Sequence, residues 1–236
     1  LYNNTTKVIN LNNFKFSDGA AVSILTNAVI FPNGYLILCP STNTSDYAAY
    51  GNTIGLSNFP SLNNTGDYLT LKDASGNLIH EVNYSDTWYA DDVKKAGGWT
   101  LELIDPENPC GESNNWKASN NAAGGTPGKI NSVKGTNSDI SSPKIVSAFA
   151  LNTLSVMLYF DETMDSLSAK FAAYSVNNGI NVFGIIVIDK KTVQVNLANA
   201  LQTKTMYTIT ASGMSDCIGN TTSFTSAEFA LTEQGI

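Results

Sequence analysis

The sequence predicts an all-β protein of two tandem β-sandwiches, and three observations carry that prediction. Only 14% of residues are charged, and Asn, Ser, Thr and Gly fill the polar positions, whereas a helical bundle would draw on Glu, Lys and Ala. Apolar residues come in short runs bounded by turn formers, at strand rather than helix length. The 236 residues suffice for two ordinary domains, and a Gly/Ser/Asn/Pro-rich stretch at 121–143, "NAAGGTPGKINSVKGTNSDISSP", parts two such patterned halves. A boundary near 137 is expected, giving domains 1–136 and 137–236.

In the first half, "KVINLNNFKFSD", "AVIFPNGYLILCP" and "GDYLTLKDASGNLIHEVNYS" alternate and are separated by Asn, Gly, Pro and Asp turns, the pattern of hairpins. In the last of these, Leu69, Leu71, Leu78, Ile79 and Val82 are expected to face a core, and Asp73 to Asn77 to turn the chain, with Gly76 free to take positive φ. Asp73, Ser75 and Asn77 alone are too few oxygen ligands for a calcium loop. "SDTWYADDVKKAGG" has a helical or irregular flavour and delivers the chain to "GGWTLELID". There Trp99, Leu101 and Leu103 are expected to face inward and Glu102 outward. Beyond the boundary, "SPKIVSAFALNTLSVMLYFDETMD" gives two strands. "YSVNNGINVFGIIVIDKKTVQVNLANALQTKTMYTITASG" gives several more, a run of immunoglobulin-domain size.

Charge and hydropathy exclude whole classes of partner. The net charge is −7 and all 13 basic residues are lysines, so the planar guanidinium that reads phosphate or guanine with two bonds is missing. No nucleic-acid partner is expected. The longest apolar runs, "GIIVI" and "YLILC", are far too short to span a bilayer. The opening "LYNNTTKV" has no leader pattern, so a signal peptide is read as missing or removed and the chain as a piece of something longer. No Gly-rich phosphate motif leads a strand into a helix.

The chemistry-bearing residues are few. His80 is the only histidine and sits in a predicted strand, with no nucleophile or orienting partner in sequence. Carboxylates cluster at Asp86, Asp91 and Asp92, and again at Asp161, Glu162 and Asp165 in "FDETMD". The second cluster is the candidate metal site, and calcium is the one ion it would take; no other cofactor is expected. Trp88 and Tyr89 are the candidate ligand-binding aromatics. Cys39 ends an apolar run and is expected to be a buried thiol. Cys110 and Cys217 lie in polar turns of different domains, and a disulfide between them would fit an exported protein.

The order of motifs in the first half resembles a bacterial lamin-tail domain. "LYNNTTKVINLNNFKFSD", "FPNGYLIL", "GDYLTLKDASGNLIHEVNYSDTWY", "GGWTLELIDPENPCGESNNWKAS" and "GGTPGKINS" follow in that family's sequence over residues 1 to 133. The resemblance implies a compact immunoglobulin-like sandwich in which Trp99 and Trp116 are structural core residues and the polar loop between them is a connection. Gly124, Gly125, Pro127 and Gly128 then make a tight exit. Family members begin one strand earlier than "LYNN", so that first strand is read as missing: either the sequence is cut inside the domain, or the neighbouring edge is left open and could recruit another strand.

Residues 138 to 231 are similar to bacterial immunoglobulin-like modules, on "YFDETMD", "MYTIT" and the "MSDCIGN" turn. The trailing "FALTEQGI" reads as a run-out toward a further module. The expected role is therefore non-catalytic: a spacer, adhesion or binding unit of an exported bacterial surface protein, in the cell envelope or outside it. Its partners would be a surface polymer or protein and neighbouring modules of the same polypeptide. Two alternatives stand beside this reading. One is accessory modules of a larger secreted hydrolase, a nuclease or phosphatase, whose catalytic domain lies elsewhere; the other is a carbohydrate-binding module that would use exposed aromatics such as Trp88, Tyr89 or Tyr174.

Overall fold

The structure is a computed structural model, described here for residues 1–109 and 111–232. The chain is all-β and divides into two compact units, Leu1–Ser138 and Asp139–Ile236. Among the described residues no helix is long and apolar enough to cross a membrane.

The first unit is built from short strands: β1 (Ile9–Asn10), β2 (Lys15–Ser17), β3 (Val22–Ile24), β4 (Val29–Ile30), β5 (Ile37–Pro40), β6 (Thr53–Leu56), β7 (Gly66–Lys72), β8 (Leu78–Ser85), β9 (Leu101–Leu103) and β10 (Trp116–Ala118). Its largest sheet is antiparallel in the order β3-β2-β7-β8, and smaller pairs are β1-β4, β9-β10 and β5-β6. The β5-β6 pair is parallel. A parallel pair needs a crossover rather than a hairpin, and the helical segment around α1 (Thr44–Tyr47) supplies it. Residues 1–3 run beside 33–36, with Tyr2 bridged to Tyr35 and their rings stacked at 4.8 Å.

The buried apolar core of this unit comprises Leu11, Leu25, Ala28, Ile30, Leu36 and Leu56. Trp99 and Trp116, expected in the core, are only half-buried and pack instead against Lys94 and Trp88 respectively. Two other inward assignments also change. Leu78 and Ile79 are exposed, because a register shift between Leu71 and Lys72 displaces the pairing at that end of β7 and β8. In β9 the alternation is inverted: Glu102 is buried while Leu101 and Leu103 are half-buried. Its carboxylate is tolerated because it accepts hydrogen bonds from Thr126 Oγ1 at 2.6 Å, Ser132 N at 2.7 Å and Ser132 Oγ at 2.7 Å.

The same segment explains the glycines of the exit turn. Gly124 has φ +86 and a Cβ there would lie 2.0 Å from the Gly98 carbonyl oxygen; at Gly128, φ +70, it would lie 2.6 Å from the Tyr50 carbonyl oxygen. Only glycine allows both the left-handed backbone and that approach.

The second unit contains β11 (Ile145–Asn152), β12 (Ser155–Phe160), α3 (Ser166–Phe171), β13 (Ala173–Val176), β14 (Val182–Asp189), β15 (Thr192–Leu197), β16 (Met206–Ser212) and β17 (Thr225–Ala230). The helical turn preceding α3 in chain order, α2 (Asp92–Lys95), belongs to the first unit and is capped by Asp91, whose carboxylate accepts from Val93 N and Lys94 N. The two sheets have the orders β11-β12-β15-β14 and β13-β16-β17. Lettered in chain order these are A-B-E-D and C-F-G, the strand arrangement of a seven-stranded immunoglobulin sandwich. Between them lie sixteen buried apolar residues, among them Val156, Leu158, Val193, Val195, Ile209 and Met214. Each such aliphatic side chain contributes about 1.5–3 kcal/mol relative to exposure. Tyr207, buried at the start of β16, accepts a hydrogen bond from the Gln202 backbone N–H at 2.8 Å through its hydroxyl, as the tyrosine corner of such sandwiches does.

Candidate functional site

At one end of the second unit the connection after β12 meets the connection between β16 and β17, the B–C and F–G loops of the sandwich. These loops are stitched together by backbone groups and one serine hydroxyl. Asp165 N donates to Ser215 O at 2.9 Å, Ser215 N donates to Ser168 Oγ at 2.9 Å, and Met164 bridges Asp216. The "MSDCIGN" segment folds around Asp216, whose Oδ1 accepts from the backbone N–H groups of Ile218, Gly219 and Asn220 at 3.0, 2.7 and 2.8 Å. Asn220 in turn donates its amide to Asp216 Oδ2 and to the Asp139 carbonyl, drawing the entry segment to the same place.

The result is a carboxylate trio, Asp139, Glu162 and Asp216, whose ligand oxygens lie within 4.8 Å of one another. Glu162 Oε2 accepts from Ser141 Oγ at 3.4 Å, while Oε1 is buried without a hydrogen-bond partner. Burial, followed by repulsion from Asp139, Asp161 and Asp216, pushes the Glu162 carboxyl up to about 7. Such a set can share a proton near neutrality or supply three oxygens to a hard divalent cation.

Of the three expected metal ligands, only Glu162 belongs to this group. Asp161 Oδ1 accepts from Lys144 N at 2.8 Å, and Asp165 Oδ1 accepts from Ser168 N at 2.7 Å as the cap of α3. Asp139 and Asp216 were missed because they are distant in sequence; the one local signal was the Asp-to-Asn spacing of the "MSDCIGN" turn, which reads as a side-chain-capped turn rather than a ligand set.

The aromatic candidates lie in the first unit. Trp88 packs against Trp116 with ring centroids 6.4 Å apart, and Tyr89 donates its hydroxyl proton to the Trp99 carbonyl at 2.8 Å. The Lys94 ammonium sits 4.7 Å from the Trp99 ring centroid. All four rings are half-buried and together fasten the turn at 86–89 to β9 and β10. In the Asp73 to Asn77 turn, the Asp73 carboxylate accepts from Asn77 N and Nδ2, both at 2.8 Å, so it closes the hairpin itself. Cys39 is a free, buried thiol. Cys217 is disulfide-bonded, and Cys110 lies outside the described residues.

No protein-family model matches the chain, and no curated protein matches it. Among solved structures, the N-terminal part of the bacterial S-layer protein SbsC is 21% identical, covering 39% of this chain and 24% of that one, with a TM-score of 0.35. Domains 1–6 of the same surface layer protein give 21% identity over 40% of this chain and 14% of that one, with a TM-score of 0.36. The archaellum periplasmic stator complex of FlaF and FlaG from Sulfolobus acidocaldarius gives 16% identity over 39% of this chain and 92% of that one, with a TM-score of 0.26. The chain thus spans about a quarter or less of the S-layer structures' own length, 24% and 14%. Likenesses this remote carry no conclusion about what the chain does.

Proposed function

We propose that the chain is a non-catalytic, modular part of an exported bacterial surface protein, serving as a spacer, adhesion or binding unit. The supporting observation is the tandem of two compact β units with separate cores, the second an A-B-E-D/C-F-G sandwich whose interior is filled by side chains. A filled sandwich leaves outer faces and end loops as its working surfaces, and serial modules of this kind set distance and present those surfaces. Within this reading residues 1–136 are a lamin-tail-like module and 137–236 a bacterial immunoglobulin-like one.

Export also makes sense of a Cys110–Cys217 disulfide, which an oxidising compartment would preserve. Mass spectrometry of the non-reduced, alkylated chain is expected to find these two peptides linked and Cys39 alone alkylated. Recovery of alkylated 110 and 217 peptides would remove the disulfide from the proposal. The functional reading itself is tested by immunoblotting fractionated source cells with antibody to this chain. An envelope or secreted band without hydrolase activity is expected; a cytoplasmic band, or a phosphatase or nuclease activity travelling with the band, overturns it.

A further inference from the structure

The two outer faces of the second unit differ in kind. On the β13-β16-β17 sheet, the row Ser175, Thr210 and Ser226 crosses all three strands, with Thr208 and Glu228 beside it, and Ser175 and Thr210 share a 2.6 Å hydrogen bond. That is the polar face a solvated sheet presents. On the β11-β12-β15-β14 sheet the register instead aligns Phe149, Met157, Gln194 and Ile186 in one row. Leu151, Tyr159, Phe183 and Ile188 flank it, and the Phe149 and Tyr159 rings stack at 5.8 Å. Phe183 is 71% exposed, Ile188 52% and Ile186 48%. The strand that bears them, β14, reads "VFGIIVID", a nearly continuous apolar run of the sort found in strands covered on both faces.

We propose that this face of the second unit docks against the same face of a second copy of the chain, sheet upon sheet about a two-fold axis. The proposal stands whether or not the chain is a surface module. Area supports it: the outward apolar side chains expose on the order of 600 Å², the top of the range that the largest apolar patch of a monomer reaches. Two copies face to face would then bury about 1,200 Å², the lower bound for a stable interface. Charge selects the occupant. The outward positions of the four strands carry no charged side chain before Asp189, which offers nothing to a polyanion or a basic peptide.

The charges gather at one end of the sheet, at Lys144, Asp161, Asp189, Lys190 and Lys191. The opposite end, at Asn152, Thr153, Leu154, Asn181 and Ala198, has none. A two-fold that runs the stacked sheets antiparallel lays the charged end of each copy over the neutral end of the other, so like charges do not meet. The twist of one sheet is also matched by its own copy, as in aligned sheet packing.

Sedimentation equilibrium of the whole chain across the micromolar range decides the matter. A monomer–dimer equilibrium is expected, weakened roughly tenfold or more by Ile186→Lys and by Phe183→Ser. Thr210→Lys, on the polar sheet, is expected to leave it unchanged. The substituted side chains point outward, and circular dichroism of each variant confirms that the sandwich is retained. A strictly monomeric chain overturns the proposal. So does a dimer that survives both β14 substitutions, or one that Thr210→Lys dissociates.

Discussion

The two units solve the same problem by different means. The second, from Asp139 onward, has the larger buried apolar cluster, sixteen residues running from Ile145 to Phe229. The first is the longer, yet its buried apolar cluster has six. What replaces bulk in the first unit is polar knotting. Asn3 donates to the carbonyls of Lys7, Ile30 and Phe31 at 2.8, 3.2 and 3.0 Å. Asn115, fully buried, donates to Asp105 O and Asn108 O at 2.7 and 2.6 Å and accepts from Asp105 N at 2.9 Å. Asn137 donates to Asn115 Oδ1 and accepts, through its carbonyl, from Asn108 Nδ2. Long irregular connections can be held this way because a buried amide satisfies several backbone groups that no strand partner reaches. The lesson is that a sandwich of short strands depends on where its asparagines sit, and one of long strands depends on packing.

The largest effect that should separate the units comes from the packed one. Leu158 is completely buried in β12, and Leu158→Ala removes its side chain from the centre of the sixteen-residue cluster. A loss of about 2–5 kcal/mol is expected. Hydrogen exchange read by mass spectrometry should show it in peptides of the second unit. Equal acceleration in peptides from residues 1–109 would mean that the cores are not energetically separate, and the comparison would fail.

The complementary experiment is Asn115→Ala. It leaves Asp105 N and two carbonyls without their partner in a buried loop, an expected cost of about 2–4 kcal/mol. Exchange should quicken around 101–118 and leave β12, β15 and β16 protected. Glu102→Leu sharpens the same point: it restores the apolar alternation of the strand yet strands the donors of Thr126 and Ser132, so it should destabilise the first unit by about 1–3 kcal/mol. If the leucine stabilised it instead, the unit would be limited by apolar burial after all.

The same contrast decides what was legible in sequence. In "MYTITAS" the apolar and hydroxyl residues alternate, and Tyr207, Ile209 and Ala211 are buried while Thr208, Thr210 and Ser212 are half-exposed. Period-two patterning works there because side chains near in sequence face one core. It misassigns Glu102, whose partners lie in and beyond the exit turn, and it misassigns Leu78 and Ile79, where a bulge resets the register. The hairpin turn at Asp73 to Asn77 and the glycines of the exit were readable, because local backbone geometry demands them. The Asp139, Glu162 and Asp216 trio was not, since only the meeting of two end loops with the entry segment assembles it.

The smallest expected effect is a difference of sign. In the first unit, burial alone would raise Glu102, but hydrogen bonds from Thr126, Ser132 and Ser119 outweigh it and hold the carboxyl below its usual 4.5. A depressed carboxyl stabilises above the unfolded value and loses that contribution as pH falls through the folded one, so the first unit should weaken only below about pH 4.5. In the second, Glu162 stands raised to about 7 from the usual 4.5. Its contribution is complete below about pH 4.5 and is lost as pH rises through about 7, because the folded state must then hold a charge beside Asp139, Asp161 and Asp216. Neutral carboxyl therefore favours the packed unit and ionised carboxyl the knotted one. Carbon-13 titration in chelator should place the two midpoints on opposite sides of 4.5, and Glu162→Gln should flatten the pH dependence of the second unit's stability between about pH 5 and 8. A Glu162 midpoint at an ordinary carboxyl value would show the trio to be solvated and its repulsion screened.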